Sequence, residues 1–177
     1  DAGRMALIVG TAPGTDSRID ENKIKGYKNF ANKLWNITRF VTQYNYEYSH
    51  DQNFNSFSKN DLELIKAREE MVTEISKEMN EMKFHLASEK LYSYIWHTFA
   101  DEIVEDSKKV ALEGTDEEKI SRKQFVSDTL TIILKCLHPF MPFVTEEIWS
   151  ILNQSRPESR DPDTRSGLLI VSSWPKK

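Results

Sequence analysis

The chain has 177 residues, 38% of them apolar and 29% charged, enough for one domain with a substantial core and ordinary for a soluble globular protein. No apolar run approaches the ~20 residues of a membrane helix, and the opening residues do not read as a basic-then-apolar leader. A single cysteine, Cys136, excludes an internal disulfide, so a reducing compartment is expected, with the cytoplasm as default and no membrane partner.

The formal charge of −4 is unusual for a chain that binds a polyanion, but its distribution is uneven. Residues 22–48 hold Lys23, Lys25, Lys28, Lys33 and Arg39 against Glu47 alone, whereas residues 61–82 hold three basic and seven acidic residues. A dipolar arrangement of helices with one basic face is expected.

Residues 2–9 read as a short helix that begins abruptly, as though the start of its domain were missing. Gly10 to Asp16 (GTAPGTD) form a turn-rich break. It lacks the lysine and the strand-before, helix-after setting of a phosphate loop. Asp20 is the N-cap candidate of a helix running to about Tyr48, on which Tyr27, Phe30, Leu34, Ile37, Val41 and Tyr44 mark one face. Residues 49–59 lose the pattern and read as a loop. The next helix, roughly 60–82, is expected to turn Leu62, Ile65, Val72, Ile75, Met79 and Met82 inward.

The helix over roughly 83–108 carries two adjoining stripes: Phe84, Leu91, Tyr94 and Ile95 on one, Tyr92, Trp96, Phe99 and Ile103 on the other. So wide an apolar arc predicts a central helix, with Trp96 as a large buried aromatic. Gly114 breaks the chain, and Thr115 or Asp116 caps a helix over about 116–137. Pro139 and Pro142 interrupt it before a last helix, about 143–153, with Ile148, Trp149 and Leu152 inward. Phe140, Met141 and Phe143 are expected to fill the corner, and Thr145 or a neighbour to cap the helix. Residues 153–167 are polar and proline-containing and are expected to be mobile. Leu168 to Val171 read as a strand without a partner, a further expectation of truncation. The predicted fold is an all-α bundle of about five helices with a short C-terminal strand-like tail, an architecture that settles no function by itself.

Catalytic constellations are missing. The histidines at 50, 85, 97 and 138 lack metal-ligand spacing, and no Cys-x-x-Cys pair occurs. His97, beside Trp96, reads as a hydrogen-bonded packing histidine. Glu146 and Glu147 diverge by about 100° on a helix and are expected to favour its N-terminal dipole rather than share a substrate. No catalytic residue, metal or cofactor is assigned to this chain.

Two segments are more distinctive. They are Gly26-Tyr27-Lys28-Asn29-Phe30-Ala31-Asn32-Lys33-Leu34-Trp35-Asn36 with Arg39-Phe40-Val41, and Leu137-His138-Pro139-Phe140-Met141-Pro142-Phe143-Val144-Thr145-Glu146-Glu147-Ile148-Trp149. They resemble the paired hallmarks of the anticodon-binding domain of class I aminoacyl-tRNA synthetases of the valine, isoleucine and leucine group, nearest to the valine enzymes. Lys83-Phe84-His85 with Leu91-Tyr92 and Trp96, the opening Arg4 to Arg18, and Ser173-Trp174-Pro175 are similar to the same family. Gly3 departs from it, standing where a larger apolar residue is usual, and both ATP-binding motifs of the class are absent from this chain.

The resemblance implies residues 1–18 as the end of a catalytic or stem-contact region and 19–154 as the anticodon-binding bundle. It implies 155–177 as a flexible segment and tail leading to a missing extension. It implies a monomeric ligase charging valine tRNA with ATP and magnesium, its catalytic domain lying outside this inactive fragment. The implied partners are the anticodon stem-loop of valine tRNA and that catalytic domain. A free-standing tRNA-binding paralogue and a helical protein-interaction module without RNA binding are the alternatives.

With Leu34 at the centre of the buried face, Lys25, Asn29, Asn32, Asn36 and Arg39 fall within about 40° of the opposite side, and Lys33 and Phe40 share its flank. Three asparagines, poor helix formers, make this face unlike an ordinary solvated one. Asparagine offers donor and acceptor to base edges, lysine and arginine meet phosphates, and an exposed phenylalanine offers a stacking platform. Asn32 and Lys33 could instead bond the GTAPGTD segment or the catalytic domain. The resemblance adds Asn22 toward the anticodon and Lys108, with Lys109, toward its stem; a helix C-terminus favouring cations explains the latter pair equally well.

Overall fold

The computed structural model describes residues 1–16, 20–47, 56–154 and 167–175. Its α-helices are α1 (Ala2–Ile8), α2 (Glu21–Glu47), α3 (Lys59–Asn80), α4 (Phe84–Ser93), α5 (Glu105–Glu113), α6 (Asp116–Leu137) and α7 (Pro142–Gln154). A π-helical segment, Tyr94–Val104, joins α4 to α5, and a 3-10 turn, Leu169–Val171, follows α7. The described residues include no strand, and the predicted all-α bundle is what forms. Most of the expected loop at 49–59, and residues 155–166 of the segment expected to be mobile, lie outside the described residues.

Side chains set the helix starts. Asp20 accepts from the Lys23 amide at 2.7 Å to open α2, and Ser58 accepts from the Asp61 amide at 3.1 Å to open α3. Thr115 and Glu118 form a reciprocal capping box on α6, and each such cap contributes ~1 kcal/mol. Pro142 occupies the first position of α7, where its missing N–H costs nothing. The cap there is not Thr145 but Asp1, whose carboxylate accepts the Phe143 and Val144 amides at 3.2 and 2.6 Å. Thr145 is buried and donates back to the Met141 carbonyl at 2.8 Å.

α3 ends in a reversal that its apolar pattern did not predict. Met82 adopts a left-handed φ of 59°. The Lys83 amide returns to the Glu78 carbonyl at 2.8 Å, and that of Met82 to Met79 at 3.1 Å, the paired bonds of a Schellman close. Met82 is therefore thrown to the surface, 67% exposed, instead of facing inward. Leu62 at the other end of α3 and Phe143 on α7 are also exposed, not core residues.

From Phe84 to Glu113 the chain runs as α4, the π-helical segment and α5 in succession. Its buried apolar residues, Ala87, Leu91, Ile95, Phe99 and Ile103, with Ala100 and Val104 beside them, recur every four positions. That spacing drifts one way around an α-helix and the other way around the wider π-helical turn, so the succession of the two keeps these residues on one side. The wide apolar arc thus has a geometric cause. The inner stripe is buried while Tyr92, Tyr94 and Trp96 are half-buried, so Trp96 is not the core anchor that the pattern suggested. Trp149 is the fully buried tryptophan.

Phe30, Leu34, Ile37 and Val41 of α2 meet Phe99, Phe125, Leu130, Ile133, Leu134 and Met141 in one apolar core. Burial of each large side chain contributes ~1.5–3 kcal/mol. Arg4 fastens α1 to the α6–α7 corner through the Pro139 and Phe140 carbonyls. The run from Leu168 to Val171 is corrected from strand to turn. The Glu146 carboxylate accepts the Leu169 amide at 2.8 Å and the Ile170 amide at 3.3 Å, Leu169 enters the core, and Trp174 donates to Ser76 at 2.8 Å.

Candidate nucleic-acid interface

The buried stripe of α2 leaves its opposite side facing out. Asn22, Lys25, Asn29, Asn32, Asn36 and Arg39 are all exposed, and at 1.5 Å per residue they span about 26 Å of helix. The Asn32 side chain makes no hydrogen bond among the described residues. Lys25, Lys28 and Arg39 have no ion-pair partner there, so three cations and four asparagine amides are available to a ligand. Lys23 does not join them: its ammonium holds the Val9 carbonyl at 3.0 Å and ties α2 to α1.

The flank toward the π-helical segment is built differently. Lys33 is half-buried, its ammonium 4.3 Å from the centroid of the Trp96 ring and 2.6 Å from Asp101 Oδ1. The alternative contact with the GTAPGTD segment is thus not the one Lys33 makes. Trp96 is in turn stacked with Tyr92, centroids 5.8 Å apart, and with Phe30 at 6.2 Å. Tyr27 meets Tyr92 edge-on at 5.6 Å. Burial raises the pKa of the Tyr92 phenol, and burial with the neighbouring Tyr92 and Glu89 raises that of Tyr27, so both remain neutral hydrogen-bonding groups.

Phe40 is corrected from an exposed platform to a half-buried ring, packed on the core and stacked on Tyr44 at 5.6 Å with the planes 14° apart. Among the described side chains of α2 the large aromatic that faces solvent is Trp35, which bounds the asparagine face on the side away from Lys33. A legible signal existed: Trp35 follows Leu34 directly and so stands about 100° off the buried stripe. His97 is also corrected. It is an exposed side chain 3.9 Å from Asp101 Oδ2, not a packing histidine. Lys108 lies on α5 in an exposed pair with Glu105 at 2.6 Å; its partner is not a residue of α2. The structure therefore brings together Lys33, Trp96 and Asp101 beside the asparagine face.

The helix that carries the acidic run, α3, packs on α4 and α6. Among the described residues no group of three or more His, Cys, Asp or Glu side chains could hold a metal ion, and no helix is long and apolar enough to cross a membrane.

The family described as the anticodon-binding domain of tRNA ligase matches residues 61–177, a span that contains Trp96, Asp101 and Lys108 but not α2. Similar proteins extend over α2 as well. The chain is 36% identical to a valine–tRNA ligase of Dehalococcoides mccartyi and 34% identical to one of Pelagibacter ubique, in both cases over 99% of its length and 19% of the relative's. It is 42% identical to a valine–tRNA ligase of Lactobacillus johnsonii over 84% of its length and 17% of the relative's. The chain thus spans about a fifth of the length of the curated relatives it matches.

Proposed function

This chain belongs to the family of anticodon-binding domains of tRNA ligases, and we propose that it holds the anticodon stem-loop of valine tRNA for a valine–tRNA ligase. The observation that carries this reading is the exposed face of α2. Its asparagine amides have the donor and acceptor equipment to read unpaired bases, and its cations can neutralise phosphates. Trp35, exposed at one side of that face, supplies a ring for stacking.

On this reading the chain performs no bond-making step. It fixes one end of the tRNA so that the acceptor end reaches a catalytic body elsewhere in a monomeric protein, where ATP with magnesium activates valine. Residues 19–154 form the reading module, 1–18 its junction to that body, and 155–177 a connection onward. Asn22, Lys25, Asn29, Asn32, Asn36 and Arg39 contact the loop, with Lys33 and Phe40 as supports of the surface and Lys108 reaching toward the stem.

The test is binding of the 177-residue chain to a valine-anticodon RNA hairpin across a salt series. A steep linear fall of log affinity with log salt, together with preference over a hairpin of different anticodon, is the expected result. Absence of hairpin binding at low salt, or binding through apolar surface that salt leaves unchanged, would overturn it in favour of a protein-docking module.

A further inference from the structure

An acidic side chain stands where phosphates would be expected to exclude one. Asp101 is half-exposed on the π-helical segment, beside the asparagine face, with Oδ1 held by Lys33 at 2.6 Å. Oδ2 points the other way. The His97 ring lies on that side, its Nδ1 3.9 Å distant and beyond hydrogen-bond reach. The carboxylate is thus fixed at one oxygen, screened by a cation that is itself seated on the Trp96 ring, and open at the other oxygen.

An ionised carboxylate only accepts hydrogen bonds. Against RNA it is repelled by phosphates and by the oxygen-bearing edges of uracil, and it is satisfied by the exocyclic amino group of cytosine or adenine. We propose that Asp101 is a base-reading residue, its Oδ2 accepting from the exocyclic amino group of an unpaired cytosine or adenine. Lys33, held over the Trp96 ring, positions it. This deepens the anticodon reading and rests on it. Valine codons begin with GU, so by base pairing the last two bases of a valine anticodon are A and C, both of which carry such an amino group. A surface reading them needs acceptors. The asparagines supply neutral ones, and Asp101 adds one that cannot rotate into a donor.

The π-helical geometry supports this role. Such turns recur at functional sites, and here the segment keeps Phe99 and Ile103 in the core while His97 and Asp101 are exposed and Trp96 is half-buried between them.

The experiment compares the parent chain with Asp101→Asn on three hairpins: the valine anticodon, the same loop with uridine replacing cytosine, and the same loop with purine riboside replacing adenine. The parent should prefer the native loop over at least one substituted loop by about tenfold or more. Asp101→Asn, with an unchanged melting temperature, should shrink that ratio several-fold. If Asp101 is only the counter-ion of Lys33, its neutralisation frees that cation, strengthens binding to all three hairpins alike and steepens the salt dependence; that outcome overturns the inference while leaving anticodon binding intact. A parent chain that binds none of the hairpins overturns both. His97→Ala should leave the ratio unchanged, because its ring is out of bonding reach of Oδ2.

Discussion

Arg122 of α6 and Asp61 of α3 meet in the interior, Nε to Oδ1 at 2.6 Å, each no more than 2% exposed. The same guanidinium donates to Asp106 at 2.7 Å and to Ser107 at 3.3 Å, and Asp61 also accepts from Ser121. Burial opposes the charge on Arg122, but the bonds to Asp106 and Asp61 outweigh it, and its pKa is raised. Asp61→Ala should destabilise the fold by about 2–3 kcal/mol, because it leaves the buried Arg122 Nε and the Ser121 hydroxyl without their acceptor while Asp106 still faces the charge. Urea unfolding measures this; a loss below about 1 kcal/mol would show that the bundle relaxes to let water reach Arg122.

Met82→Gly should stabilise the protein by about 1 kcal/mol. The left-handed φ of 59° costs a residue with a Cβ roughly that much, and the exposed side chain has little packing to lose. A lower midpoint in urea would mean that Met82 contributes more to packing than its exposure implies.

Trp149→Ala and Trp96→Ala should differ. Trp149 is fully buried, and its truncation should cost ~3–5 kcal/mol. Trp96 is half-buried and works through stacking and Lys33, each contributing roughly 0.5–1.5 kcal/mol, so its loss should lower the melting point modestly and weaken hairpin binding. Equal destabilisation by the two changes would contradict the placement of Trp96 at the surface.

Phe40→Ala, Asn36→Ala and Lys25→Ala separate packing, reading and gripping. The first should melt early, since its ring packs on Tyr44 and the core. Asn36→Ala should melt like the parent and bind the valine hairpin more weakly. Lys25→Ala should weaken all hairpins alike and reduce the salt slope by about one. Normal hairpin binding by both surface variants would move the RNA surface off α2.

His138 should make stability depend on pH. Burial lowers its pKa below the ordinary ~6.5, with Glu146 opposing. A depressed folded value means that the fold prefers neutral imidazole. The resulting stability is complete above the unfolded pKa and is lost as pH falls through the folded one. The stability difference between the parent and His138→Gln should therefore narrow from pH 7.5 to about 5.5. A difference that widens on acidification would mean that the Glu146 charge dominates.

Helix number, order and most boundaries were legible because apolar spacing, caps and prolines are local signals. Asp20, Thr115 and Pro142 all mark helix starts in one short stretch of chain, and the outward asparagine face follows from 100° per residue once Leu34 is known to be buried. What local pattern could not decide was which apolar side chain is covered and by what. Met82 and Phe143 are exposed because a left-handed reversal and a helix start turn them away. Trp96 is half-exposed because the π-helical turn puts its neighbours Phe99 and Ile103 in the core. Leu168 to Val171 look like a strand, yet Glu146, more than twenty residues earlier, takes up their amides as a turn. The pairing of Lys33 with Asp101 joins residues 68 positions apart, and no periodicity in either helix encodes it. Such contacts depend on how whole helices are set against each other, a relation that exists only when the core has closed.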